Sequence, residues 1–139
     1  MVKPEVVRRK VSEAASRLDK AEGLLSQPPE EFLASDDQQD LASFHLLLAI
    51  QECIDLAAHW IADEGWDPPD KTSSLFDVLA SRKAIDRDLA NSLGKAVSLR
   101  NRIAHGYSSV DHERIQAEYQ TGVADLRRFL MAVASEAGI

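Results

Sequence analysis

The stretch from Ser35 to about Glu64 constrains this chain most. Leu47, Ile50, Ile54, Ala57 and Ile61 recur at helical spacing, and so do Leu46, Ala49, Cys53, Leu56 and Trp60. Two adjacent stripes make a helix apolar over most of its circumference, and such a helix must be buried on more than one side. The period excludes a strand. The second side can come from the chain's own helices, with this one at the centre, or from a second copy. In so small a domain a homodimer is the expectation. Ser35 can cap the start, with Gln38 at the capping-box position and Asp36 and Asp37 in the first turn. Gly65 and Asp67-Pro68-Pro69 end the helix.

The other segments supply partners. Val7, Val11, Ala14, Leu18, Ala21 and Leu25 predict an amphipathic helix from about Pro4 to Ser26, ended by Pro28-Pro29. Gln27 to Asp40 reads as an acidic loop that runs into the cap of the second helix. Leu75, Phe76 and Leu79 predict a short helix over 73–81, capped by Thr72 or Ser73. Asp86 caps a fourth long-period segment, with Leu89, Leu93, Ala96 and Ile103 on its stripe. After a polar turn around Ser108 to Asp111, the stripe Ile115, Tyr119, Val123, Leu126, Leu130 and Val133 predicts a last helix to about Ser135. The expectation is one all-α domain over 1–139. It is an up-and-down four-helix bundle with one additional short helix.

Composition narrows the function classes. Six glycines and five prolines in 139 residues suit an all-helical fold. The single Cys53 cannot form an intramolecular disulfide and suits a reducing, cytoplasmic setting. The charged N-terminus lacks the apolar core of a signal peptide, and no apolar run approaches the ~20 residues of a membrane span. A net charge of −7 argues against broad electrostatic binding of nucleic acid. Yet Arg82 to His105 holds six basic residues and two acidic ones, a +4 window in an acidic chain.

Two polar clusters interrupt the apolar pattern. Glu52, Asp55 and His59 form a seam on the second helix. Asp55 and His59 stand four apart and could hydrogen-bond, either as a satisfied surface pair or as the wall of a cleft. No third ligand stands at a metal-binding spacing. The second cluster is Arg100-Asn101-Arg102-Ile103-Ala104-His105-Gly106-Tyr107. At ~100° per residue Arg100 falls in the middle of the apolar stripe. A guanidinium cannot be neutralised there, so it needs an open cleft or an anion opposite. Arg102 points elsewhere and reads as solvated. If Gly106 takes the left-handed conformation that ends a helix, His105 can turn to lie close to Arg100. The bland alternative is an internal ion pair for Arg100 and an ordinary C-terminal cap for His105.

An arginine and an imidazole without a metal suit RNA cleavage. The ribose 2′-hydroxyl is already placed to attack its own phosphate, so only proton transfer and charge stabilisation are needed. His105 suits the first and Arg100 the second, with Asn101 able to bind a phosphate oxygen or orient His105.

The run Arg100-Asn101-x-x-x-His105-x-Tyr107 resembles the signature of HEPN-domain proteins, most closely the HepT toxins. The stretch Leu46-Leu47-Leu48-Ala49-Ile50-Gln51-Glu52-Cys53-Ile54-Asp55-Leu56-Ala57 looks like that family's second helix, and the likeness runs from about Pro4 to Val133. The resemblance implies a metal-independent ribonuclease toxin without a cofactor. It implies a homodimer in which two Arg-His motifs face each other across a cleft. It further implies a nucleotidyltransferase antitoxin of the MntA type, which transfers AMP from ATP to the motif tyrosine, by match Tyr107. An anionic nucleotide beside Arg100 and His105 would block RNA. The alternative within the same resemblance is a catalytically silent HEPN dimer that binds nucleotide or serves as structural partner of a nucleotidyltransferase.

Overall fold

The computed structural model describes residues 3–106 and 110–139, and every regular element among them is helical. Four long helices form the bundle: α1 (Pro4–Leu25), α3 (Asp36–Asp63), α5 (Arg87–His105) and α6 (His112–Ala137). Two short helices, α2 (Pro29–Phe32) and α4 (Leu75–Ser81), sit in the connections. The all-α bundle is as expected, with one short helix more than the sequence suggested. Prolines at the first helical position open α1 and α2. The 27–40 segment is therefore no simple loop: α2 drives Phe32 into the core, where it is buried completely.

The expected caps are mostly made. Ser35 accepts from the Gln38 amide at 3.2 Å and Asp86 from the Leu89 amide at 2.7 Å. The reciprocal half of the capping box is missing, because the buried Gln38 Oε1 has no partner. Neither Thr72 nor Ser73 caps α4. They lie in a 3-10 turn, Thr72–Ser74, that leads into it without a side-chain cap bond.

Gly65 ends α3 at φ 73°, with its amide on the Ala62 carbonyl and the Trp66 amide on that of Ile61. The same turn ends α4, with Lys83 in the glycine's place at φ 61°. That conformation costs a side-chain-bearing residue strain that glycine avoids.

The helix α3 is the axis of the molecule. Both of its stripes are used inside one chain: Leu46, Ala49, Cys53, Leu56 and Trp60 are buried, and so are Ile50, Ile54, Ala57 and Ile61. Its neighbours are α1, α4, α5 and α6. The double stripe thus needs no second subunit, and the homodimer loses that support. Length and composition alone would let α3 cross a membrane, since an 18-residue window averages 1.4 in mean hydropathy. Polar residues such as Gln51, Glu52, Asp55 and His59 interrupt its apolar runs, so no uninterrupted run reaches the length of a span although the mean is high. What remains open on α3 is Leu41 and Phe44, 45% and 49% exposed.

Polar bonds lock the bundle. Gln116 of α6 donates to the Leu25 and Gln27 carbonyls at 3.2 and 2.9 Å, closing the end of α1. Arg127 of α6 reaches Asp19 and Glu22 of α1. His45 is a buried exception to the apolar rule. The Arg17 guanidinium donates to its Nδ1 at 3.1 Å, which leaves the ring proton on Nε2. Burial, then Arg17 and Lys20, push its pKa down.

Candidate functional site

The helix α5 carries the Arg-His cluster, and its first half is clamped to α6. Ser92 donates to Asp125, and Arg128 spans Asp125 and Asp86 at 3.3 and 3.1 Å. Beyond Ser92 the two helices leave a groove of about 930 Å³ between them, floored by Leu46 and Ile50 of α3.

Arg100 is half-buried, as its place in the stripe implies, beside buried Val97 and Ile103. Its Nε is buried without any hydrogen-bond partner. Of the chain's ten arginines, six are engaged: Arg17 with His45, Arg82 over Trp66, and Arg87, Arg114, Arg127 and Arg128 with carboxylates. Among the described residues Arg100 and Arg102 have no such partner, and neither has Lys95 on the same helix. Among the described residues Arg100 therefore forms no internal ion pair of the kind that would make it merely structural. An unpaired, partly desolvated cation is costly to hold and suits an anionic ligand.

His105 is placed differently from expectation. The helix runs through it, and Gly106 is extended at φ −160°, a conformation open to any residue, with its amide on the Arg102 carbonyl at 2.9 Å. No left-handed turn folds the imidazole back. Helical geometry instead sets His105 about 140° round α5 from Arg100 and about 7.5 Å along the axis. His105 is exposed, as is Asn101. The residues that share a face with His105 are Asn101 and Arg102, four and three positions earlier. Arg102 is not simply solvated: it lines the α5–α6 groove together with Lys95. The sequence carried a signal for this, since Lys95 to His105 contains three cations and no acid. Tyr107 lies outside the described residues, as does part of the turn expected from Ser108.

Asp55 and His59 are not joined. Asp55 accepts from Gln51 at 3.1 Å and faces Lys10 of α1 at 3.7 Å, while His59 is exposed. Asp55 stands about 180° round α3 from Leu46, on the side away from the groove floor. Lys10 also faces Glu52 at 3.7 Å; burial, aided by Glu13 and Asp55, raises the Glu52 pKa against the pull of that lysine. Among the described residues no three His, Cys, Asp or Glu side chains are grouped to hold a metal. A smaller hollow of about 450 Å³ lies by Trp60 and Trp66, where Arg82 and Lys83 are matched by Glu64 and Glu136.

Residues 12–133 match the family model described as Ribonuclease HepT-like. The chain belongs to the HepT-like ribonuclease family. A protein of Archaeoglobus fulgidus is 31% identical over 90 residues, covering 65% of this chain and 67% of that one. The mRNA nuclease HepT of Shewanella oneidensis is 26% identical over 98 residues, 70% of this chain and 74% of that one. The fold is that of a tri-AMPylated HEPN toxin of Shewanella oneidensis, solved in complex with an MNT antitoxin. The TM-score is 0.87 at 21% identity, over 97% of this chain and 99% of that one. Among the described residues of this HepT-like chain, Arg100 has no ion-pair partner and His105 is exposed at the end of α5.

Proposed function

We propose that this chain is a cytoplasmic, metal-independent endoribonuclease toxin. Arg100 and His105 are its catalytic groups and Asn101 supports them. The observation that carries the reading is the partnerless, partly buried Arg100 within a HepT-like ribonuclease fold. In the reaction the ribose 2′-oxygen attacks the adjacent phosphorus and the bond to the 5′-oxygen breaks, leaving a cyclic phosphate and a free 5′-hydroxyl. His105 moves the proton, and Arg100 stabilises the charge that builds on the non-bridging oxygens.

The separation of about 140° between Arg100 and His105 on one helix favours a homodimer. Two motifs facing across a cleft supply an arginine and a histidine from opposite sides. Phe44 and Leu41, exposed on α3, are apolar surface left for such a contact. The partner that silences the enzyme is a nucleotidyltransferase antitoxin of the MntA type. Tyr107 is its target: the phenol oxygen attacks the α-phosphorus of ATP, takes AMP and releases pyrophosphate. The Shewanella toxin with its AMP groups and antitoxin supports this by likeness of fold.

Induction of the wild type should arrest growth and cleave RNA, and His105→Ala should do neither. Equal growth of the two sinks the toxin reading. Co-expression with a nucleotidyltransferase antitoxin of the MntA type should add AMP-sized mass that Tyr107→Phe abolishes. Mass retained in that variant excludes Tyr107 as acceptor.

A further inference from the structure

We propose that the groove between α5 and α6 is the track by which single-stranded RNA reaches His105. Lys95 and Arg102 hold its phosphates, and Tyr119 stacks on a base. The inference rests on the ribonuclease reading above.

The groove has the chemistry of a strand binder. Its α5 rim carries Lys95, Ser98 and Arg102, two cations and a hydroxyl with no acid among them. Both cations lack partners among the described residues, in a chain whose net charge is −7. The acids of the α6 rim are already engaged: Glu118 pairs with Arg114 at 3.0 Å, and Asp111 caps α6 by accepting from the Arg114 amide. With three cations (Lys95, Arg102 and Arg114) against two carboxylates (Asp111 and Glu118) on its lining, the groove still offers an incoming polyanion a net positive charge. Its floor is apolar, and half-buried Tyr119 presents a ring to it. Cationic edges over an aromatic floor are how proteins hold single strands without reading sequence.

The geometry also gives the track a direction. Arg102 lies three residues before His105, on the same face. The groove's lining runs along α5 from Ser92, at the Ser92–Asp125 clamp, to Arg102 near the motif end. From Ser92 to Arg102 is about 15 Å along the helix, room for about four nucleotides at ~3.4 Å per stacked step.

The test measures affinity and cleavage together. Fluorescent oligouridylates of two to eight nucleotides are titrated against His105→Ala protein, and KM is measured on the active form. Affinity should rise with length up to about four nucleotides and then level off. Lys95→Ala and Arg102→Ala should each lower the slope of log affinity against log salt by about 0.7. Tyr119→Leu should weaken binding roughly tenfold and Tyr119→Phe should restore it. Lys71→Ala, away from the groove, should change nothing. Unchanged affinity and KM in the groove variants overturn the proposal even if the wild type cuts RNA. Binding that depends on the groove without any cleavage would support the track and sink the nuclease. If the same variants instead dissociate a dimer or an antitoxin complex and leave RNA affinity alone, the groove is a protein interface and the proposal falls.

Discussion

Replacing Arg100 by methionine should make this protein more stable and inactive. The guanidinium stands in an apolar stripe, and its buried Nε has no acceptor. A buried donor left without a partner costs about 1–3 kcal/mol. Part of the side chain still reaches solvent, which reduces that penalty. Methionine keeps the length and the apolar stem while deleting the unsatisfied group. The net expectation is a gain of about 1 kcal/mol, or a Tm rise of about 2–4 °C for a chain of this size. Cleavage should fall by about 10²–10³ in kcat, the usual loss when one donor to a developing oxyanion is removed. Urea denaturation followed by circular dichroism gives the first quantity and a fluorogenic RNA the second. Adding a phosphate-bearing ligand at ten times its Kd should stabilise the wild type by about 1.4 kcal/mol and leave the variant alone. A loss of more than 1 kcal/mol in Arg100→Met would refute the reasoning, because it would mean the arginine is held by a partner within the fold.

Other outcomes follow from the fold. His45 has its pKa depressed by burial and by Arg17 and Lys20. Below about pH 6.5 the unfolded chain therefore takes up a proton that the folded chain refuses. Stability should fall as pH drops from 6.5 towards the folded pKa, and His45→Gln should flatten that slope in urea titrations at pH 7.5 and 5.5. Glu52 acts with the opposite sign and lower down, since its pKa is raised; its contribution is lost as pH rises through the folded value. Lys83→Gly should gain about 0.5–1 kcal/mol by relieving φ 61°; a loss would show that the lysine side chain stabilises the α4 turn. Cys53 is buried and its thiol pushed far above its ordinary pKa, so native protein should react with a disulfide reagent only as fast as it unfolds.

Patterns that depend on one chain's own periodicity were legible from residues alone. The boundaries of α1, α3, α5 and α6 and the caps at Ser35 and Asp86 follow from local rules, and so does the core stripe ending in Val133. Phe32 was missed because two prolines and a run of acids disguise one helical turn. The dimer argument from α3 failed because a stripe records burial and not what buries it. At the site, Arg100 stood out because a guanidinium breaks an apolar period. The reading that Gly106 turns His105 towards it failed because glycine permits a left-handed residue but does not require one. Arg102 was passed over for the same reason that makes it informative: on a helix wheel it is merely polar, and only the gap between α5 and α6 shows what it faces.

Gln116 and Arg127 bind the last helix to the first. A growing chain that has delivered the whole Arg-His motif still lacks α6, so the groove has a single wall and the end of α1 is uncapped. A chain stopped at residue 110 should accordingly lose its cooperative thermal transition. On the proposed ribonuclease reading, the groove that leads to His105 therefore exists only once α6 has docked on α1 and α5.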